Sequence, residues 1–121
     1  MKLPGPDHPI HISPNPNRVR VWLGGHLIAD TTSALTLREA SLPAVQYIPR
    51  DDADMKLLAG ASHASHCPYK GDASYFSIVV QGRTVENAVW SYERPYPAVS
   101  AISGHLAFYP SRVDKIEETG P

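Results

Sequence analysis

A chain of 121 residues, 42% of them hydrophobic, has room for one modest core and is too apolar to remain disordered. Its net charge of -1 supplies no basic field for nucleic acid or an anionic membrane, and a single cysteine excludes both an internal disulfide and an all-thiolate zinc site. No stretch approaches the ~20 apolar residues of a membrane helix, and Met1 to Pro9 lacks the apolar run of a secretory signal, so a soluble cytoplasmic protein is expected.

Residues 1–9 carry three prolines and read as an extended arm, because proline suits neither a helix interior nor an inner strand. Ile10 to Ile12 is a short strand candidate, closed by the turn formers Ser13 to Asn17. Arg18 to Leu23 alternates, with Val19, Val21 and Leu23 on one face and Arg18, Arg20 and Trp22 on the other. Gly24-Gly25 supplies the positive φ of a two-residue hairpin, and His26 to Ala29 returns as its partner. Leu35, Leu37 and Glu39 share one face of the next strand, which places a carboxylate at the rim of the core.

Val45 to Ile48 is a further extended piece that Pro49 closes. Asp51, Asp52 and Asp54 resemble a helix start, Met55, Leu57 and Leu58 an apolar side, and Gly60 a stop, so one short helix is expected over 51–60. His66-Cys67-Pro68-Tyr69-Lys70-Gly71 then forms a tight loop before a strand over 73–80, with Phe76, Ile78 and Val80 on one face and Tyr75 and Val79 on the other. Gln81 to Arg83 turns into a partner strand over 84–92, which places Ala88, Trp90 and Tyr92 together. Ala98 to Ile102 is one helical turn and His105 to Tyr109 a last strand. Val113 to Ile116 is at most one more turn, and residues 117–121 are expected to fray. Short strands with closely spaced turn signals predict a mainly β domain over 10–116, an antiparallel sandwich or open barrel with one short helix.

Several blocks together resemble the DUF427 family: His8-Pro9-Ile10, Arg18-Val19-Arg20-Val21, Leu37-Arg38-Glu39, Tyr47-Ile48-Pro49-Arg50, Cys67-Pro68-Tyr69-Lys70-Gly71, Ala88-Val89-Trp90-Ser91-Tyr92 and Ala107-Phe108-Tyr109. That family is a domain of unknown function filed under a nucleotidyltransferase-like name. The resemblance spans roughly residues 8–116 and implies a fold similar to the β-tent, with two crossing antiparallel sheets. Some β-tent proteins bind zinc through paired Cys-x-x-Cys knuckles; the lone Cys67 departs from that pattern, so neither a metal nor another cofactor is expected.

The Cys67 loop gathers the residues with most chemistry. A thiol is nucleophilic as thiolate, and Lys70 or His66 beside it would favour that form; the bland alternative is a small buried apolar residue. Lys70, flanked by an aromatic residue and a glycine, is a candidate to anchor or protonate a ligand. Glu39 on a leucine face is a candidate acid or base with a raised pKa, against the simpler reading of an ion pair with Arg20, Arg38 or Lys70. Tyr47, Tyr69, Trp90 and Tyr92 can line an apolar pocket with polar tips, or simply be core. His63 and His66 lack a fixed face on which to converge, and His8, His11, His26 and His105 read as scattered surface or strand histidines.

The aspartates at 51, 52 and 54 are explained by helix capping, and Gly24-Gly25 has no helix after it to cradle a phosphate, so the nucleotidyltransferase label finds no residues to rest on. The expected function is a small-molecule site around the Cys67 loop, with acid–base chemistry on a small carbonyl or acyl compound. Glu39, Cys67, Lys70 and His66 supply the reactive groups, in a monomer or homodimer. The alternative is a non-catalytic interaction or homodimerising module with an exposed apolar patch around Tyr96 and Tyr109.

Overall fold

In the computed structural model, which describes all 121 residues, the alternation at Arg18–Leu23 becomes strand β2, with Val19, Val21 and Leu23 buried. Gly24 and Gly25 have φ of 58° and 77°, the left-handed pair a tight hairpin needs, and β3 (His26–Thr31) returns beside β2. The other flank of β2 is taken by the C-terminal stretch, which was expected to fray and is instead a strand over Lys115–Thr119. Its pairing has a physical cause: Ile116 lies opposite Val21, and Glu117 meets Arg20 at 2.8 Å.

A second sheet holds β1 (Ile10–Pro14), β4 (Leu35–Glu39) and β5 (Val45–Tyr47), in the order β1-β4-β5. The third runs β6-β7-β8-β9, over Leu58–Cys67, Gly71–Val80, Arg83–Ser91 and Ala107–Phe108; the strand at Lys115–Thr119 is β10. Ile48 and Leu106 exchange both backbone hydrogen bonds at 2.8 Å, which joins the second sheet to the third. The chain is mainly β and antiparallel, as expected, with three sheets, no closed barrel and only short helical turns. No helix is long and apolar enough to cross a membrane.

The expected helix over 51–60 is different. The aspartates do start helical turns, but these are 3-10 turns at Arg50–Asp52 and Met55–Leu57. Asp54 caps the second by accepting from the Lys56 amide at 3.2 Å, while Asp52 accepts from Thr31 at 2.7 Å. Gly60 does not stop a helix; it lies inside β6, the edge strand of its sheet. The helical turn expected near Ala98 is present as a 3-10 turn over Pro97–Ile102, burying Val99 and Ile102. The strand expected over 105–109 shortens to Ala107–Phe108.

A register shift between Phe76 and Ile78 changes which side of β7 faces inward. Before it, Ala73 and Tyr75 are buried; after it, Ile78 and Val80 are. Tyr75 therefore points into the protein, not away from it as simple alternation implied. The two halves of β7 serve two cores. Ile78 and Val80 pack with Val19, Val21, Leu23 and Ile28. Ala73 and Tyr75 pack with Leu37, Tyr47, Tyr92, Val99 and Ile102. Each fully buried aliphatic side chain contributes roughly 1.5–3 kcal/mol. The second core is rich in phenols, and that is where the polar chemistry collects.

Candidate functional site

Cys67 and Gly71 pair as the last and first residues of β6 and β7, so the Cys-Pro-Tyr-Lys-Gly block is the tip of a hairpin rather than a link between helix and strand. Pro68, Tyr69 and Lys70 make the turn, and Gly71 leaves it at φ 106°. The backbone of Arg94 to Tyr96 closes over Gly71, with the Tyr96 amide donating to the Lys70 carbonyl at 3.0 Å. This seat turns the Lys70 side chain inward, and the residue is only 8% exposed.

Lys70 Nζ donates to Glu39 Oε1, a carboxylate that the β4 alternation places on the inner face beside Leu37. Glu39 Oε2 is 2.7 Å from His8 Nε2. The Lys70 ammonium also lies 5.8 Å from the centre of the Tyr92 ring. Burial alone pushes the Glu39 carboxyl up, but the hydrogen bonds from Lys70 and His8 outweigh it and hold the group below its ordinary value. The expectation of a raised Glu39 pKa is thereby corrected. The ion-pair reading describes the residue, and Lys70 is its partner.

In front of this pair lies a hollow of about 240 Å³, walled by Leu37, Val45 and aromatic side chains. Glu39, Lys70, Tyr47, Trp90 and Tyr92, five of the eight residues singled out from the sequence, line it together. Trp90 Nε1 donates to the Tyr47 hydroxyl at 3.3 Å, and the two rings meet edge to face. Burial pushes the Tyr47 phenol up to about 12, the Tyr109 phenol likewise to about 12, and Tyr92 higher still. These phenols stay protonated at neutral pH, and each has a hydroxyl hydrogen it can donate.

The remaining three stand apart. Cys67 is half-buried against the core that holds Leu37 and Tyr47, outside the lining of the hollow. His66, its neighbour on β6, points to the opposite side, where its ring nitrogen meets the exposed Asp72 at 2.7 Å. Tyr69 faces outward and stacks on His8, with ring centres 3.8 Å apart and 8° between planes. The imidazole of His66 is engaged by Asp72 and shares no hydrogen bond with the Cys67 thiol.

Three residues of the site were not foreseen. Tyr75 and Tyr109 complete the wall, their hydroxyls 3.4 Å apart. Tyr75 was hidden by the shift in β7. Tyr109, expected with Tyr96 on an exposed apolar patch, is half-buried, as Tyr96 is. His8 is not the scattered surface histidine that the sequence alone suggests. Its sequence signals are its place in the His8-Pro9-Ile10 block and the β spacing that sets it two residues before Ile10, which pairs with Glu39.

A larger groove of about 1100 Å³ lies across β4 and β5, with Thr36 and Gln46 in its lining. Gln46 Oε1 there accepts from Asn15 at 3.0 Å and Thr36 at 2.9 Å. Leu42, Pro43, Val45, Trp90 and Tyr109 line both spaces. The groove is roomier, but the buried ion pair belongs to the smaller hollow, and chemistry follows the charges.

Among curated proteins nothing matches the chain. The family model described as a domain of unknown function, DUF427, matches residues 11–119, a span that takes in nine of the ten strands whole and most of β1. With Glu39, Lys70 and the tyrosine wall all inside that span, the chain belongs to the DUF427 family.

Proposed function

We propose that the hollow binds a small neutral carbonyl or acyl compound and exchanges a proton with it. One observation carries this reading. Lys70 has three N–H donors, Glu39 takes one of them, and a nearly buried ammonium with spare donors borders a hollow otherwise walled by rings and aliphatic groups. Glu39 balances its charge, which favours an uncharged polar oxygen over a carboxylate as the partner of those donors. A carbonyl oxygen placed there has its developing negative charge met by Lys70 Nζ, and the Glu39 carboxylate takes the proton from the adjoining carbon. The protonated phenols of Tyr47 and Tyr92 are available to orient the compound. Cys67 and His66 have no part in this step.

The test uses cyclohexanone as probe in deuterium oxide, with α-deuteration followed by proton NMR. The protein is expected to deuterate the ketone above the buffer rate, and Lys70→Gln and Glu39→Gln to lose roughly 100-fold or more of that rate. A wild-type rate equal to buffer, with no chemical-shift change at Trp90 or Tyr92 on adding the ketone, would sink the reading.

A further inference from the structure

The groove across β4 and β5 has a polar floor that the chemistry of the hollow leaves unused. Asn15 is its hub and is 7% exposed. Asn15 Oδ1 accepts from the Asn17 amide at 2.9 Å, which turns its own NH2 group towards Gln46 and Glu118. Gln46 Oε1 therefore meets two donors, Asn15 at 3.0 Å and the Thr36 hydroxyl at 2.9 Å. The other end of the same amide, Gln46 Nε2, carries two N–H donors and has no partner in the protein. That nitrogen is not closed off, since Arg20 Nε is the only buried side-chain nitrogen or oxygen left without a partner. Holding strands together accounts for Asn15 and Thr36. It gives no use to two fixed donors that open on a groove.

Two charges stand at opposite ends of this floor. The Asn15 amide donates to the Ala34 carbonyl at 2.8 Å, which sets Asn15 beside the start of β4. Glu118 is pinned at that end: its Oε2 accepts from Asn15 at 3.2 Å and from Asn17 at 2.8 Å, while Oε1 is free. Arg38 lies further along β4, on the same face as Thr36, and Gln46 lies across from Thr36. Arg38 is exposed and lines the groove, and its neighbour Glu39 is taken by Lys70 and His8. From Ala34 to Arg38 the strand covers roughly 13 Å. Ile48, Trp90, Phe108, Tyr109 and Ile116 give the groove an apolar wall. We propose that this groove binds a free peptide of about three residues, lying extended with both of its termini engaged. Three extended residues reach about 10–11 Å, and the side chains of Arg38 and Glu118 take up the rest. The peptide's ammonium meets Glu118 Oε1, a central carbonyl oxygen accepts from Gln46 Nε2, and the C-terminal carboxylate meets Arg38. Its apolar side chains lie on the wall. A simple anion is repelled by Glu118 and a simple cation by Arg38, so a molecule carrying both charges at this spacing is favoured. The binding uses neither Lys70 nor Glu39 and stands apart from the acid–base reading of the hollow.

The probe is the tripeptide Ala-Leu-Ala, added to the full chain at low ionic strength while the Gln46 side-chain NH2 signals are followed by NMR. Saturable shifts are expected at Gln46 with millimolar peptide, and none at Tyr92, which lines only the hollow. Arg38→Gln is expected to weaken Ala-Leu-Ala about fivefold, the size of an exposed ion pair, and to leave binding of the C-amidated peptide unchanged. Glu118→Gln keeps an acceptor for Asn15 and Asn17; it should weaken the free peptide by a similar factor and leave the N-acetylated one unchanged. Gln46→Glu keeps an oxygen for Asn15 and Thr36 but removes the donors, and is expected to cost roughly tenfold. Gln46 signals that do not move in the wild type would overturn the proposal. So would an N-acetylated peptide that binds as tightly as the free one, because the C-terminus of any protein would then serve equally well. Shifts centred on Tyr92 would put the peptide in the hollow and overturn it too.

Discussion

The most consequential residue is Glu39, because three separate stretches of chain converge on one carboxylate. Removing a partner from a buried pair leaves a stranded charge, so Lys70→Met is expected to lower unfolding stability by roughly 3–5 kcal/mol. Replacing both groups at once with Lys70→Met and Glu39→Leu should restore most of the loss, as paired urea titrations will show. The lowered Glu39 pKa sets a direction with pH. As pH falls below the ordinary carboxylate value, about 4.3, the unfolded chain takes up a proton that the folded chain still refuses, so this part of the stability drains away towards the folded value. Glu39→Gln is expected to flatten that acid limb in denaturation midpoints measured between pH 3 and 7. Much of this was legible in the sequence: alternation placed Glu39 among leucines, and Lys70 was among its candidate partners. His8 was not legible, because the pairing of Ile10 with Glu39 joins stretches 29 residues apart and no local pattern announces it.

At the scale of elements, strands with strict alternation were readable and β6 was not. Its sequence of alanines, serines, histidines and a glycine carries little intrinsic strand preference, and the acids before it look like a helix start. It is a strand because β7 offers it a partner from Ile78 to Gly71, and its polar, small side chains suit an exposed edge. The shift in β7 is equally silent in the sequence, although Asn87 across from it adopts φ 52° and its amide donates to Ser77 Oγ at 3.2 Å. The hairpin tip gives the element-scale prediction. Gly71→Ala forces a side chain into φ 106°, while its Cβ finds only ordinary contacts at 3.6–3.7 Å. Backbone strain therefore dominates, and a loss of roughly 1–3 kcal/mol is expected in thermal or urea unfolding. Because Lys70 precedes that bond, the same variant should also lose ketone deuteration out of proportion to its stability.

Across the whole molecule, composition and turn spacing gave the antiparallel mainly β architecture, while the number of sheets and the role of the last strand depend on contacts between distant stretches. The tyrosine-rich core and the aliphatic core meet where the second sheet joins the third, and the only backbone ladder between those two sheets is the reciprocal pair at Ile48 and Leu106. Both residues are almost wholly buried, at 1% and 0% exposure, so slow hydrogen–deuterium exchange is the naive expectation for their amides. Two bonds without neighbours on either side have nothing to zip them shut, however, and such a seam opens more cheaply than a long strand pair. Those two amides should therefore exchange sooner than the equally buried ladder amides of Val21 and Val89, and the wall beside Tyr47 should breathe along this line.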